Sequence, residues 1–184
     1  MILSCAEMKA AEDALFATGV EAEPLMEKAG RGCAEAIAQF FPRKARVRLF
    51  VGKGHNGGDA LVAGRELAKR GWPVSFELAY DREQLAELTA KKLAEFEAIE
   101  PAEVPLHRLP LVVVDGLLGI GAQGPLRESL RPSSDQINRL RIEENATCFA
   151  IDIPSGLDGD TGEPYDGAVT ADFTLTITFP KAGL

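Results

Sequence analysis

The stretch "FVGKGHNGGDALVAGREL", residues 50–67, decides the fold, because an apolar lead-in, a loop with four glycines and a helix-like tail follow one another directly. Three of the glycines, Gly52, Gly54 and Gly57, match the pattern G-x-G-x-x-G. Glycine permits positive φ and close backbone approach, and the amides that open the next helix favour an anion. The pattern alone is weak evidence for a dinucleotide, since a tight strand-to-helix turn has the same spacing. No Gly-Lys-Ser/Thr is present, which excludes a Walker A loop.

Length and composition indicate one globular domain over residues 1–184. Apolar residues make up 46% of the chain and charged residues 26%, as in soluble proteins. No apolar run reaches the roughly 18 residues of a membrane span. Glu7, Glu12 and Asp13 interrupt the N-terminal stretch where a signal peptide would be apolar. We therefore expect a cytoplasmic protein with no membrane partner.

Charge and cysteine content argue against nucleic acid and zinc as partners. The formal net charge is −8, whereas a nucleic-acid binder carries a basic face, so no nucleic-acid partner is expected. The three cysteines, Cys5, Cys33 and Cys148, have no CxxC spacing, which argues against zinc and against a disulfide framework. They are expected to be buried or half-buried thiols.

Helices and strands alternate along the chain. A capping-box pattern at Ser4 and Glu7 opens a helix over residues 5–18, and Pro24 opens a second helix that Pro42 ends. Strands are predicted at residues 47–51, 73–80, 111–115, 147–152 and 172–179, with helices over 60–70, from Asp81 onward and from Ser133 onward. This alternation predicts an α/β fold: a three-layer αβα, Rossmann-like domain with a mostly parallel sheet, helices on both faces and the two N-terminal helices packed outside.

Three of these strands end in loops of unusual content. Two end in a carboxylate, Asp115 and Asp152, and the third enters the glycine loop. Because parallel strands end at the same edge, we expect the three loops to meet where such sheets bind ligands. Each loop contributes one oxygen-bearing side chain, Asn56, Asp115 or Ser155, and together these suit a hard cation. With one carboxylate among them, a monovalent cation is the expected occupant.

Asp59 argues against an ordinary Rossmann dehydrogenase. Its carboxylate is predicted at the opening of the helix, where it would repel a diphosphate. The position suits a ribose or amide donor, or a helix N-terminal cap. A short-chain dehydrogenase would also need a Tyr-x-x-x-Lys pair. Gln84 and Val169 stand four residues after the only tyrosines, Tyr80 and Tyr165, so the sequence excludes a short-chain dehydrogenase.

Four segments together resemble the NAD(P)H-hydrate epimerases, the YjeF N-terminal family. They are "GKGHNGGDALVAGREL" (52–67), "VVVDGLLGIGAQGPLR" (112–127), "AIDIPSGLDGDTGEP" (150–164) and "TADFTLTITFPKAGL" (170–184). The likeness extends to the N-terminal helices and so covers nearly the whole chain. It implies a Rossmann-like fold and an isomerase that interconverts the R and S forms of hydrated NADH and NADPH. A dehydratase that acts on one epimer can then repair the whole damaged pool.

The resemblance also implies a site. It places one potassium ion per subunit on Asn56, Asp115 and Ser155, in agreement with the oxygen-ligand argument. The residues that it places at the hydrated nucleotide are His55, Asn56, Gly57, Gly58, Asp59, Gly119, Ile120, Gly121, Ala122, Gln123, Gly124, Pro125 and Asp152. Epimerisation at C6 needs proton transfer, and a positioned carboxylate can provide it, so Asp152 is the predicted catalytic acid/base. Lys181 is a weaker candidate for a phosphate or hydroxyl contact, and a solvated lysine is an equal alternative.

The chain departs from the family pattern in three places. His55 stands where the family usually has Asn, so that its titration near neutral pH could make binding pH-dependent. Ala60 stands where Gly is common. The family domain usually continues beyond Leu184, so this chain is expected to lack the family's last part, either naturally or because it is fused to a dehydratase. Dimers are common in the family, which makes a homodimer a further expectation.

A non-catalytic module of the same fold is the alternative. Relatives of this domain serve eukaryotic RNA-decapping scaffolds as dimerisation and RNA-binding parts. Such a module needs neither Asp115 nor Asp152, and an RNA binder should be basic. This chain keeps both aspartates and is acidic, which favours the enzyme.

Overall fold

The computed structural model describes residues 1–102, 109–121 and 124–184. The helices are α1 (Cys5–Ala17), α2 (Ala22–Phe40), α3 (His55–Lys69), α4 (Glu87–Glu97) and α5 (Arg131–Glu143). The strands are β1 (Arg46–Val51), β2 (Val74–Leu78), β3 (Leu111–Gly116), β4 (Thr147–Ile151) and β5 (Phe173–Leu175). Two short 3₁₀ helices, Arg82–Gln84 and Glu128–Leu130, precede α4 and α5.

All five strands form one parallel sheet in the order β2-β1-β3-β4-β5. The chain moves outward from β1 to β2 and then returns past β1 to build the other half, so the strand order switches between β1 and β3. This arrangement confirms the predicted α/β fold and places the carboxyl ends of β1, β3 and β4 side by side. Ligands bind at such a switch point in open α/β sheets.

Alternate residues of the central strands enter two different cores. Val112 and Val114 of β3 pack on one face of the sheet with Ile37 of α2 and Leu61 of α3. Val113 packs on the other face, in the core that contains the apolar side of α5. The continuous apolar runs of the central strands follow from burial on both faces. The predicted layers of helices on both sides of a sheet are therefore confirmed.

The two N-terminal helices lie on the outside, as predicted, but α2 is packed far more closely than α1. The capping box of α1 is present: Ser4 Oγ accepts from the Glu7 amide at 3.2 Å, and Glu7 Oε2 accepts from the Ser4 amide at 2.8 Å. Met8 is the one buried residue of α1. By contrast, α2 approaches α3 so closely that a Cβ at Gly30 would lie 2.5 Å from the Cβ of Val62.

The predicted start of α3 is wrong by five residues. The helix begins at His55, and Gly54 rather than Asp59 is its N-cap residue. The reason is that the amides of Gly57 and Gly58 both bond to the carbonyl oxygen of Gly54, which closes the first turn within the glycine loop. Most of the predicted loop is therefore helical.

Other predicted boundaries also differ. Helix α2 begins at Ala22 instead of Pro24, and the strand predicted at residues 73–80 spans Val74–Leu78. The helix predicted from Asp81 is divided into a 3₁₀ turn and α4. Helix α5 starts at Arg131, before the predicted Ser133, because proline is tolerated in a first turn. Strand β5 ends at Leu175 instead of residue 179, since a turn with positive φ at Thr178 interrupts it.

Candidate active site

A cleft with a volume of about 490 Å³ lies beyond the carboxyl ends of β1, β3 and β4. The three loops that the sequence predicted to meet supply most of its walls, and α1 supplies another. Its polar and charged lining consists of Lys9, Glu12, Lys53, His55, Asn56, Asp59, Tyr80, Arg127 and Asp152. A larger, mainly apolar groove of about 930 Å³ runs beside it between α1, α2 and residues 174–179.

Glycines of the first loop allow the loops to approach one another. A Cβ at Gly52 would lie 1.8 Å from the carbonyl oxygen of Leu117, and one at Gly57 would lie 2.0 Å from the carbonyl oxygen of Gly52. Neither distance leaves room for a side chain. Positive φ occurs at none of the glycines in residues 52–58, so close packing is what requires Gly52 and Gly57, whereas a Cβ at Gly54 would have open space.

The first turn of α3 offers two amides to the cleft. Gly54 O accepts from the amides of Gly57 (3.0 Å) and Gly58 (3.3 Å). No residue in the described part of the chain accepts from the amides of His55 and Asn56. Amides at a helix N-terminus favour an anion, and Lys53 lies beside them on the cleft wall. This end of the cleft therefore suits a phosphate group.

Asp115, near the end of β3, is fully buried, and its partners among the described residues are all neutral donors. Its Oδ1 accepts from Ser155 Oγ (2.7 Å) and the Leu117 amide (3.1 Å), and its Oδ2 accepts from the Ser155 amide (2.8 Å). Burial raises the pKa of Asp115 to about 6, although these hydrogen bonds oppose the shift. No basic side chain within the described residues bonds to it. A buried carboxylate of this kind needs a compensating positive charge.

Asn56 is joined to the same place through the backbone of Leu118. Its Nδ2 donates to the Leu118 carbonyl oxygen at 2.8 Å, and the Leu118 amide donates to Ser155 Oγ at 3.0 Å. Hydrogen bonds thus connect the three predicted cation ligands, with Ser155 bonded to Asp115 directly and Asn56 linked to them through the Leu118 backbone. The described residues contain no group of three or more His, Cys, Asp and Glu side chains that could hold a metal. One carboxylate with neutral oxygens fits a monovalent cation better than a divalent one.

Asp152 follows β4 in a strained conformation. Its φ is 71°, and the amide of Ile153 bonds to the carbonyl oxygen of Ile151 at 2.9 Å, which defines a γ-turn centred on Asp152. Such a backbone costs about 1–3 kcal/mol in a residue other than glycine and clusters at functional sites. The turn takes Asp152 off the strand and onto the cleft wall.

Both carboxylate oxygens of Asp152 are engaged. Oδ1 forms a buried ion pair with Lys181 Nζ, and Oδ2 accepts from the Ile120 amide at 3.2 Å. Lys181 is only 1% exposed. The prediction of a solvated lysine is therefore wrong, because the chain folds back after Thr178 and carries this side chain inward.

Asp59 lies on the second turn of α3 and is also buried. Desolvation raises the pKa of its carboxyl group well above the usual range, and the charges of Asp152 and Glu12 add to the shift. No hydrogen bond reaches its side chain from the part of the chain that is described. The prediction of a helix cap is wrong, and Asp59 instead faces the cleft near Asp152.

Most of the predicted nucleotide-binding residues line the cleft. They are His55, Asn56, Asp59, Gly119, Ile120, Gly121, Gly124, Pro125 and Asp152. Gly57 and Gly58 are buried beneath it, and Ala122 and Gln123 lie outside the described residues. The sequence argument missed Lys9, Glu12, Lys53, Tyr80 and Arg127, which also line it. Lys9, Glu12 and Tyr80 lie outside the four quoted segments, so no local motif marks them. Lys53 and Arg127 stand inside two of those segments, where the charge beside the glycines was the available signal.

The fold and the cleft define a Rossmann-like α/β domain with a ligand site at its switch point. The chain belongs to the YjeF-related protein N-terminus family, whose profile matches residues 22–183, and the predicted family is thereby confirmed. The crystal structure of yeast ynu0 (YNL200c) has the same fold, with a TM-score of 0.82 at 21% sequence identity over 100% of this chain and 82% of that one.

Named relatives are similar over the whole domain. The NAD(P)H-hydrate epimerase of Cenarchaeum symbiosum is 34% identical over 191 residues, covering 100% of this chain and 88% of the relative. That of Rhodopirellula baltica is 38% identical over 86% of this chain and 66% of its own length. The bifunctional NAD(P)H-hydrate repair enzyme Nnr of Thermosynechococcus vestitus is 38% identical over 100% of this chain and 36% of the relative. The chain therefore spans about a third of the length of such bifunctional relatives.

No helix within the described residues is both long enough and apolar enough to cross a membrane. Cys33 and Cys148 are buried free thiols, and Cys5 is a partly exposed one.

Proposed function

We propose that this domain is an NAD(P)H-hydrate epimerase, an isomerase that interconverts the R and S forms of hydrated NADH and NADPH. The observation that carries the proposal is the Asp152 carboxylate, which Lys181 and the Ile120 amide hold at the wall of the switch-point cleft. Two relatives that align with most of this domain have the printed name NAD(P)H-hydrate epimerase. A fixed carboxylate at such a cleft is a competent group for proton transfer.

The cleft suits a dinucleotide diphosphate at the N-terminal end of α3. The free amides of His55 and Asn56 and the ammonium of Lys53 supply positive potential there. Lys9 and Arg127 line the same cleft and add two further cations. A substrate whose diphosphate lies at these groups can place its hydrated ring toward Asp152.

The reaction needs one proton to be given and one to be taken. When the C6–O bond breaks, the departing oxygen takes a proton and the N1 lone pair forms the N1=C6 bond. Water then attacks C6 from the opposite face and gives up a proton, so that the net proton change is zero. Asp59 suits the acid role because burial raises its pKa, whereas Asp152, paired with Lys181, suits the base role. After each turnover Asp152 gives its proton to solvent and Asp59 takes one from solvent, which restores both groups.

The proposed cofactor is one potassium ion on Asn56, Asp115 and Ser155. Its support is the buried Asp115 carboxylate, which meets only neutral donors among the described residues. When bound, the ion would supply the missing positive charge and would attract the diphosphate. Its residues also tie the three loops together, so the ion would help to keep the cleft in shape.

We also propose that the domain works with a dehydratase, on the same chain or on another. The printed name of the longer relatives, bifunctional repair enzyme, supports a second activity beside this domain in those proteins. A homodimer remains a prediction. A cytoplasmic location is proposed because free thiols such as Cys33 and Cys148 suit a reducing compartment.

The test is incubation of the protein with one purified epimer of hydrated NADH, with and without potassium. We expect the epimer to approach the equilibrium mixture in the presence of potassium and to do so more slowly without it. If neither sample approaches the mixture faster than buffer, the enzyme proposal is overturned in favour of a non-catalytic binding module of the same fold.

A further inference from the structure

All three N–H donors of the Lys181 ammonium group already have acceptors within the protein. A lysine ammonium carries three N–H donors. Those of Lys181 meet Asp152 Oδ1, the Ile177 carbonyl oxygen (3.0 Å) and Thr176 Oγ1 (3.3 Å). With 1% of its surface exposed, the residue is also out of reach of a ligand in the cleft. Any effect of Lys181 on the substrate must therefore pass through Asp152.

Lys181 bonds to an aspartate, Asp152, whose strained backbone conformation needs support from its surroundings. Asp152 occupies a γ-turn of high energy, and such a turn persists only where the surroundings determine it. The two side-chain contacts hold different oxygens, since Lys181 bonds to one and the Ile120 amide to the other. Removal of the lysine would leave a single contact of 3.2 Å. The carboxylate would then be free to rotate.

The N-terminal segment in turn holds Lys181. Leu3 and Lys181 form a parallel β-bridge, in which the Leu3 amide donates to the Pro180 carbonyl oxygen at 3.0 Å. The Ala182 amide donates back to the Leu3 carbonyl oxygen at 2.9 Å. On the far side, the Gly183 amide bonds to the carbonyl oxygen of Gly159 at 2.9 Å. The backbone around Lys181 is thus clamped between the first residues of the chain and the loop after β4.

We propose that Lys181 is a positioning residue for Asp152, and that the Leu3 bridge keeps Lys181 in place. The N-terminal segment is then part of the active site, although its first residues do not line the cleft. The segment contributes in two ways. Leu3 clamps Lys181, and α1, which starts two residues later, brings Glu12 to the cleft wall. This inference rests on the proposed epimerase function.

The first experiment compares Lys181→Met, Lys181→Arg and Lys92→Met in the epimerase assay. Lys92 is a matched control, because it is also a buried lysine in ion pairs but lies on α4 and does not line the cleft. Lys181→Met should lower kcat by about 100-fold, within the usual contribution of a positioned acid or base, with KM changed less than about threefold. Lys181→Arg should recover part of kcat, and Lys92→Met should leave kcat unchanged.

A double-mutant cycle separates positioning from direct contact. In an Asp152→Asn background, Lys181→Met should cause no further loss of kcat, because the lysine acts only through the carboxylate. An equal loss in both backgrounds would overturn the proposal, as would a Lys181→Met variant with wild-type kcat.

The bridge is tested with Leu3→Pro, which removes the amide that donates to Pro180. Ile2→Pro is its control, because Ile2 is 70% exposed and its amide has no partner among the described residues. Leu3→Pro should lower kcat by about tenfold, the effect of a loosened rather than a lost catalytic group, and Ile2→Pro should not. Equal activity of the two variants would overturn this part.

A crystal structure of Lys181→Met makes the inference independent of the assay. We expect the Asp152 side chain to leave the Ile120 amide and the γ-turn to relax. An Asp152 in its original position would overturn the positioning role. If the wild-type protein has no epimerase activity, the proposed function fails, while this structure still decides what Lys181 does.

Discussion

Two lysines of this domain, Lys92 and Lys181, are buried in ion pairs with carboxylates but differ in what those carboxylates face. Lys92 of α4 pairs with Glu23 (2.6 Å), Glu27 (2.8 Å) and Glu95 (3.0 Å), which are partly exposed and do not line the cleft. Within the part of the chain that the structure describes, Lys181 has a single carboxylate partner, Asp152, and that partner lines the cleft. A buried lysine is thus no sign of function by itself. The role of each lysine depends on whether its carboxylate partner lines the cleft.

The largest expected effect on folding is that of Lys92→Met. This change leaves three carboxylates close together without their shared cation, and breaking a buried pair costs about 3–5 kcal/mol. We expect the lower part of this range, near 3 kcal/mol, because the three glutamates are partly exposed. Urea denaturation followed by circular dichroism measures it. A loss of catalytic rate in the folded fraction would contradict the division between the two lysines.

Glu27→Gln is a milder change to the same cluster. Glu27 accepts from both Lys92 and Arg65 (2.6 Å), and hydrogen bonds to charged groups contribute about 1.5–3 kcal/mol each. Because the amide can still accept one of them, a loss of about 2 kcal/mol is expected from denaturation at neutral pH. A neutral effect would show that the remaining carboxylates satisfy the cations alone.

Acid should remove the contribution of Glu27. The hydrogen bond from Arg65 lowers the pKa of Glu27 to about 2, against about 4.5 in the unfolded chain. The stabilisation is therefore complete above pH 4.5 and is lost as the pH falls toward 2. The difference in stability between wild type and Glu27→Gln should be constant from pH 7 to 5 and should shrink between pH 4.5 and 2. A constant difference down to pH 2 would contradict the assignment.

The smallest effect is expected from Thr176→Val. It removes the longest of the three Lys181 contacts, at 3.3 Å, from a partly exposed site. About 0.5–1 kcal/mol of stability should be lost, and kcat should change less than about threefold. A larger fall in kcat would mean that Thr176 has a role of its own in the cleft.

The sequence was sufficient for the order of the elements and for the three loops that meet. Asp115 and Asp152 stood at strand ends in the sequence, and the parallel sheet brings their loops together as expected. Helix α3 was placed too late because the glycines suggested a loop, whereas Gly57 and Gly58 close a helical turn. Local patterns describe such a turn poorly, since it depends on the close approach of Gly57 to the Gly52 carbonyl oxygen, which the sequence does not show.

Lys181 shows why other features of the site could not be predicted from the sequence. Its neighbours in the sequence indicate a solvated residue after a strand, and its burial depends on a fold-back at Thr178 and on a bridge to Leu3 at the other end of the chain. The γ-turn at Asp152 has no sequence signal either, because aspartate gives no warning of positive φ at a strand end. Contacts between residues far apart in the chain create both features.

The most direct test of the central claim is the rate at which Asp152→Asn equilibrates one purified epimer of hydrated NADH. Asparagine keeps the shape and tolerates positive φ, so the fold should be retained, as circular dichroism can verify. Asp135→Asn, an exposed change on α5, is the control. We predict a fall in kcat of at least about 100-fold for Asp152→Asn and none for the control. A folded Asp152→Asn variant that works at the wild-type rate would contradict the account.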